Sequence, residues 1–114
     1  MSTSSKIQAF KDQLVAFCDT VGLNMYHNES LKDTGDYGVW YELGVTRFIA
    51  DDRTAEKAPE LSVQLWTTKE YSDLPEKMEE FFDSTEECYW ENQTYADYDS
   101  DNHMYHYGWT VVLA

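Results

Sequence analysis

The sequence predicts an α+β fold: one domain spanning residues 1–114, with an antiparallel sheet of about four strands and two helices packed on it, in the order α-β-β-α-β-β. Three observations predict it. Ile7, Phe10, Leu14, Phe17, Cys18 and Val21 recur at helical spacing. Val39, Tyr41, Leu43 and Val45 alternate with period two, and so do Leu61, Val63, Leu65 and Thr67. Asp73-Leu74-Pro75-Glu76 then opens a second helix bearing Leu74, Met78 and Phe82. A chain of 114 residues can bury one core, and 42% hydrophobic with 16% aromatic residues supplies the material.

The first helix is expected from about Lys6 to Val21. Ser5 followed by Gln8 fits a capping box, and Gly22 is a natural terminator. Residues 24–36 read as a polar loop with room for a short strand at Met25-Tyr26. A strand follows from about Tyr37 to Ile49, and Gly44 suggests a bulge or bend in it. Ala50–Pro59 reads as a loop, long for a hairpin connection, so it is expected to project from the body and to be mobile in the free protein. The next strand runs from about Glu60 to Tyr71.

The second helix starts at Asp73, with Glu76 placed as a capping-box partner and Pro75 tolerable in the first turn. At only ~11 residues it must be stabilised by packing. Cys88–Tyr95 and His103–Leu113 read as closing strands, joined through the short acidic stretch Ala96–Asn102. In the last strand Tyr105, Tyr107, Trp109, Val111 and Leu113 share one face. Met104, His106, Gly108, Thr110 and Val112 share the other.

The formal net charge is −14, and it is uneven. Residues 1–60 carry six basic and ten acidic side chains, whereas residues 61–114 carry two basic and twelve acidic ones. Such a surface disfavours binding to nucleic-acid phosphates and to anionic membranes. It suits basic protein partners, self-association through aromatic surfaces, or simple solubility. Nine Tyr, five Phe and four Trp exceed what a disordered chain carries and match what interfaces use. Cys18 and Cys88 are expected as reduced core thiols. No signal-peptide core and no apolar run of about 20 residues is present, so the expected location is a cytoplasm.

No motif points to catalysis. Asp97, Asp99 and Asp101 have the alternation of a calcium loop. However, Asn102 and Gly108 occupy the places where an EF-hand needs Gly and Glu, so a solvated hairpin tip is the expectation. His103 and His106 are too few and wrongly spaced for zinc. Cys18 lies on a core stripe where thiols are inert, and no phosphate-binding glycine loop occurs. The expectation is therefore a protein without catalytic residues, cofactor or metal.

From Phe48 to the C-terminus the chain resembles the tail terminator or tail completion proteins of long-tailed bacteriophages and prophages. The residues that carry the resemblance are Phe48-Ile49-Ala50-Asp51-Asp52, Leu61-Ser62-Val63-Gln64-Leu65-Trp66-Thr67, Asp73-Leu74-Pro75-Glu76-Lys77-Met78-Glu79 with Phe82, and Met104-Tyr105-His106-Tyr107 leading to Val111. The resemblance implies a minor structural protein of the virion tail, assembled in the host bacterial cytoplasm. Such a protein caps the tail tube and forms part of the head–tail joint.

The implied partners are further copies in a homo-oligomeric ring (six subunits is one candidate size), the major tail tube protein and the head–tail connector. It implies subunit contacts through Phe48, Asp51, Asp52, Arg53 and Trp66. It also implies a DNA channel lined by Glu79, Glu80, Asp97, Asp99 and Asp101, whose charge lets DNA slide past without sticking. The charge alone supports a reading of a different class, an acidic DNA mimic that blocks a host nucleic-acid-binding enzyme.

Overall fold

A computed structural model describes residues 2–30, 35–50 and 53–114, with the backbone alone described at 46–50 and 53–56. Among the described residues there are two helices, α1 (Thr3–Val21) and α2 (Leu74–Ser84). They pack on a sheet of β1 (Asn24–His27), β2 (Tyr37–Ala50), β3 (Arg53–Thr67), β4 (Cys88–Asp99) and β5 (Met104–Leu113). The strand order is β1-β2-β3-β5-β4. The α+β class and the two helices match the expectation.

Two features correct it. The short segment in the polar loop is a full edge strand, and it pairs with β2 in parallel, from Asn24↔Tyr37 to His27↔Trp40. The sheet is therefore mixed and five-stranded, in the order α-β-β-β-α-β-β. The stretch Ala50–Pro59 is also not a loop: β2 and β3 continue their ladder to Ala50↔Arg53, and residues 51 and 52 lie outside the described residues. Charged residues and a proline (Arg53, Glu56, Lys57, Pro59) hid this extension, because they leave no apolar alternation to read. Pro59 sits just past Glu60↔Val112, where β3 leaves β5, so β3 is an edge there and a missing N–H is tolerated.

Both helices lie on one face of the sheet. Phe10, Leu14 and Cys18 of α1 and Met78 and Phe82 of α2 form one core with Leu61, Val63, Leu65, Tyr107, Trp109, Val111 and Leu113. Leu61, Val63, Leu65 and Thr67 are fully buried, as their alternation predicts. In β2 the inward residue is Trp40, opposite Val63, so the Val39-Tyr41 set points to the other face. A bulge between Glu42 and Gly44 then leaves Leu43 unpaired, and Leu43 and Val45 stand half exposed.

The helix ends follow local chemistry. Ser2, rather than Ser5, caps α1: its Oγ accepts from the Ser5 backbone N–H at 3.1 Å. Gly22 closes α1 in the left-handed region at φ 71°, where a Cβ is disfavoured. Asp73 makes no side-chain cap bond; instead Ser72 Oγ accepts from Leu74 N–H at 3.2 Å, and Asp73 pairs with Lys77 at 3.1 Å. The predicted 96–102 connection is shorter than expected, because β4 runs on to Asp99 through two bulges. These irregularities and its acids keep the β4 edge from templating another strand.

Candidate functional site

The face of the sheet opposite the helices carries the most distinctive side-chain arrangement. Cross-strand pairing places its residues in rows, because directly paired residues point the same way. One row runs Asn24, Tyr37, Trp66, His106, Asp97 across all five strands. The next runs Tyr26, Val39, Gln64, Gly108, Thr94. Beyond it lie Tyr41, Ser62, Thr110, Glu91, and then Gly44, Glu60, Val112, Tyr89.

In the first row three rings stack face to face. Tyr37 and Trp66 lie with centroids 5.0 Å apart at 15°, and Trp66 and His106 lie 4.6 Å apart at 7°. That spacing is the strand spacing, so the rings stand upright on adjacent strands. Gln64 fixes the row from the side. Its Oε1 bonds His106 Nε2, and its Nε2 donates to Ser62 Oγ at 2.6 Å. Because Oε1 only accepts, His106 Nε2 carries the proton and the neutral ring is the Nε2–H tautomer. Burial lowers the His106 pKa below the ordinary histidine value, while Asp97 and Asp99 pull it upward.

The implied subunit-contact residues are distributed between this face and the ribbon. Trp66 is the centre of the aromatic row. Phe48 pairs with Glu56 and Arg53 with Ala50 in the ribbon ladder, with side chains outside the described residues, as are Asp51 and Asp52 altogether. The ribbon leaves the body. From Gly44 to Ala50 and from Arg53 to Pro59, β2 and β3 pair with each other, and among the described residues no third strand joins them. The molecule is 50 Å long and 24 Å in each other direction, and a 15-residue β3 at about 3.3 Å per residue accounts for that length.

The five implied channel acids do not converge. Glu79 is half buried and accepts a hydrogen bond from Trp109 Nε1 at 2.9 Å. Glu80 is exposed on α2, in the helix layer. Asp97 is exposed on the opposite face of the sheet, beside His106. Asp99 builds the hairpin turn: its Oδ1 accepts from Asp101 N–H at 3.0 Å and its Oδ2 from Asn102 Nδ2 at 2.7 Å. These bonds, Asn102's side chain foremost, lower its pKa. Asp101 is exposed at the tip.

The histidines have separate partners. His27 bonds Glu42 at 2.8 Å and stacks on Trp40, His103 contacts the Tyr98 hydroxyl at 3.3 Å, and His106 bonds Gln64. Among the described residues no group of three His, Cys, Asp or Glu side chains is placed to hold a metal ion, and no helix is long and apolar enough to cross a membrane. Cys18 is buried and Cys88 half buried, both as free thiols. Burial, aided by Asp19 and Asp83 respectively, pushes each up to about 12. Reading the sequence in period two assigned His106 and Gly108 to one face of the last strand. It could not see Tyr37, Gln64 and Trp66 as their neighbours, because that depends on register across three strands. No protein-family model matches the chain, and no curated protein matches it.

Proposed function

We propose that this protein is a non-enzymatic structural and assembly protein of a bacteriophage or prophage tail, of the tail terminator or tail completion kind, acting as a ring that caps the tail tube at the head–tail joint. The observation that supports it is the β2–β3 ribbon. It extends past β5 with no third strand among the described residues. An isolated two-stranded ribbon is marginal in water, so one of this length is best explained by a surface waiting for it on a neighbour. A ring needs such a contact, in which one patch meets a different patch of the next subunit.

In this reading Phe48, Asp51, Asp52 and Arg53 reach the adjacent subunit. The helix-free face around Trp66 meets the tail tube or connector. Asp101 at the hairpin tip faces the DNA channel. Glu79 contributes little there, because its carboxylate is bound to Trp109.

The test is assembly. Mixed with its major tail tube protein, the full chain is expected to form rings or tube caps visible by electron microscopy. A variant with residues 48–55 replaced by a tight turn should fold but not assemble. No assembly with tube protein, combined with tight monomeric binding to a basic host nuclease or polymerase, would discard this reading in favour of the DNA mimic.

A further inference from the structure

We propose that the helix-free face of the sheet is a docking surface for a basic segment of another protein, whose arginine or lysine side chains reach Glu91 and Asp97 and lay their stems over Tyr89 and along the outer edge of Trp66. This goes beyond the assembly reading, since it specifies the chemistry of the partner, and it would survive that reading's failure.

The charge pattern carries the inference. Among the described residues, every ionised side chain on this face is a carboxylate: Glu60, Glu91, Asp97 and Asp99. The described lysines lie elsewhere. Lys6 and Lys11 are on α1, Lys77 is on α2, Lys57 is on the other side of β3 and Lys69 is in the turn after it. No described lysine or arginine forms an ion pair with Glu91, Asp97 or Asp99. Face-to-face docking of a second copy would set carboxylates against carboxylates, and nucleic acid is repelled outright. A basic protein segment is the occupant that fits.

The relief of the surface fits the same occupant. Small side chains (Ser62, Gly108, Thr110, Thr94) run between the Tyr37-Trp66-His106 row and the Tyr41 and Tyr89 side. Gln64 lies over Gly108 among them, bonded to Ser62 and His106, so the open relief is at the β4 end. There a depression is lined by Glu60, Tyr89, Trp90, Glu91, Thr110 and Val112. There Tyr89 is 63% exposed, two residues from Glu91 on the same face. Guanidinium groups combine the two contacts offered, bidentate bonding to a carboxylate and stacking on a ring.

The experiment is an NMR titration of the isotope-labelled full chain with an arginine-rich decapeptide, using the same peptide with citrulline for arginine as the uncharged control. At low salt, about 50 mM, the arginine peptide should shift the Trp66 indole and the amides of Gln64, Glu91, Asp97 and Thr110, and the citrulline peptide should not. The double variant Glu91→Gln, Asp97→Asn should weaken binding about fivefold, whereas Glu76→Gln, Glu80→Gln on α2 should leave it unchanged. Shifts centred on α2 or spread evenly over all acidic surface, equal binding of the citrulline peptide, or no binding at millimolar peptide would each overturn the proposal.

Discussion

The indole N–H of Trp109, at the fully buried centre of the sheet, donates to the carboxylate of Glu79 on α2 at 2.9 Å. One bond thus ties the middle of β5 to the second helix, and it satisfies the one polar atom of the largest buried side chain. Glu79→Ala would orphan that N–H, with an expected loss of about 1–3 kcal/mol in urea unfolding. Glu79→Gln keeps an acceptor and should cost less than half as much. Equal losses for the two variants would mean that the bond does not anchor α2.

His106 should make the fold sensitive to mild acid. Its pKa is lowered in the folded state, chiefly by burial, against the upward pull of Asp97 and Asp99. A histidine held below its unfolded value favours the neutral form. Its contribution is therefore present above the unfolded pKa, about 6.5, and is lost as pH falls through the folded value. Stability measured by denaturant midpoint should fall between about pH 7 and about pH 5. His106→Gln should flatten that slope. An unchanged slope in the variant would assign the effect to carboxylates instead.

Gly108 is needed for the order of the aromatic row. A Cβ at this position would sit 2.7 Å from Gln64 Oε1 and 3.0 Å from Gln64 Nε2. The amide would have to swing away, giving up its bonds to His106 and Ser62. Gly108→Ala is expected to cost about 1–2 kcal/mol. It should also move the His106 imidazole signals in an NMR titration, which a purely local clash would not do.

Both thiols should be inert in the folded protein. With each pushed up to about 12, only about one in 10⁴ is ionised at pH 8, and the thiolate is the reactive form. Thiol reagents should label Cys18 and Cys88 slowly in native conditions and at least about a hundredfold faster in denaturant. Fast native labelling of Cys88 would show that α2 opens readily from the sheet.

Much of the architecture was legible in the residues. The stripe from Ile7 to Val21, the alternation from Leu61 to Thr67 and the face holding Tyr107, Trp109 and Val111 each report burial against a neighbour. Burial on one side imposes a period that a single sequence displays. β1 was legible only as a short segment at Met25-Tyr26. Four residues at an edge carry little pattern, and parallel pairing with β2 follows from where the chain returns. The β3 arm of the ribbon read as loop because Arg53, Glu56, Lys57 and Pro59 break any apolar alternation there, whereas the β2 arm read as strand to Ile49.

By itself, the sequence determined the α+β class, the two helices with α1 ending at Gly22 and α2 opening near Asp73, the sorting of β3 and β5 into two faces, and the strongly acidic character. These are local or compositional properties, written in spacing and charge. The tertiary structure decided which strands are neighbours, and hence everything that depends on register. It placed Trp40 rather than Val39 in the core, and it stacked Tyr37, Trp66 and His106 from three strands into one row. It also bound Glu79 to Trp109 and separated that carboxylate from Asp97 by the thickness of the sheet. A one-residue slip in any ladder would send those side chains to the opposite face, so no reading of one strand at a time could have fixed them.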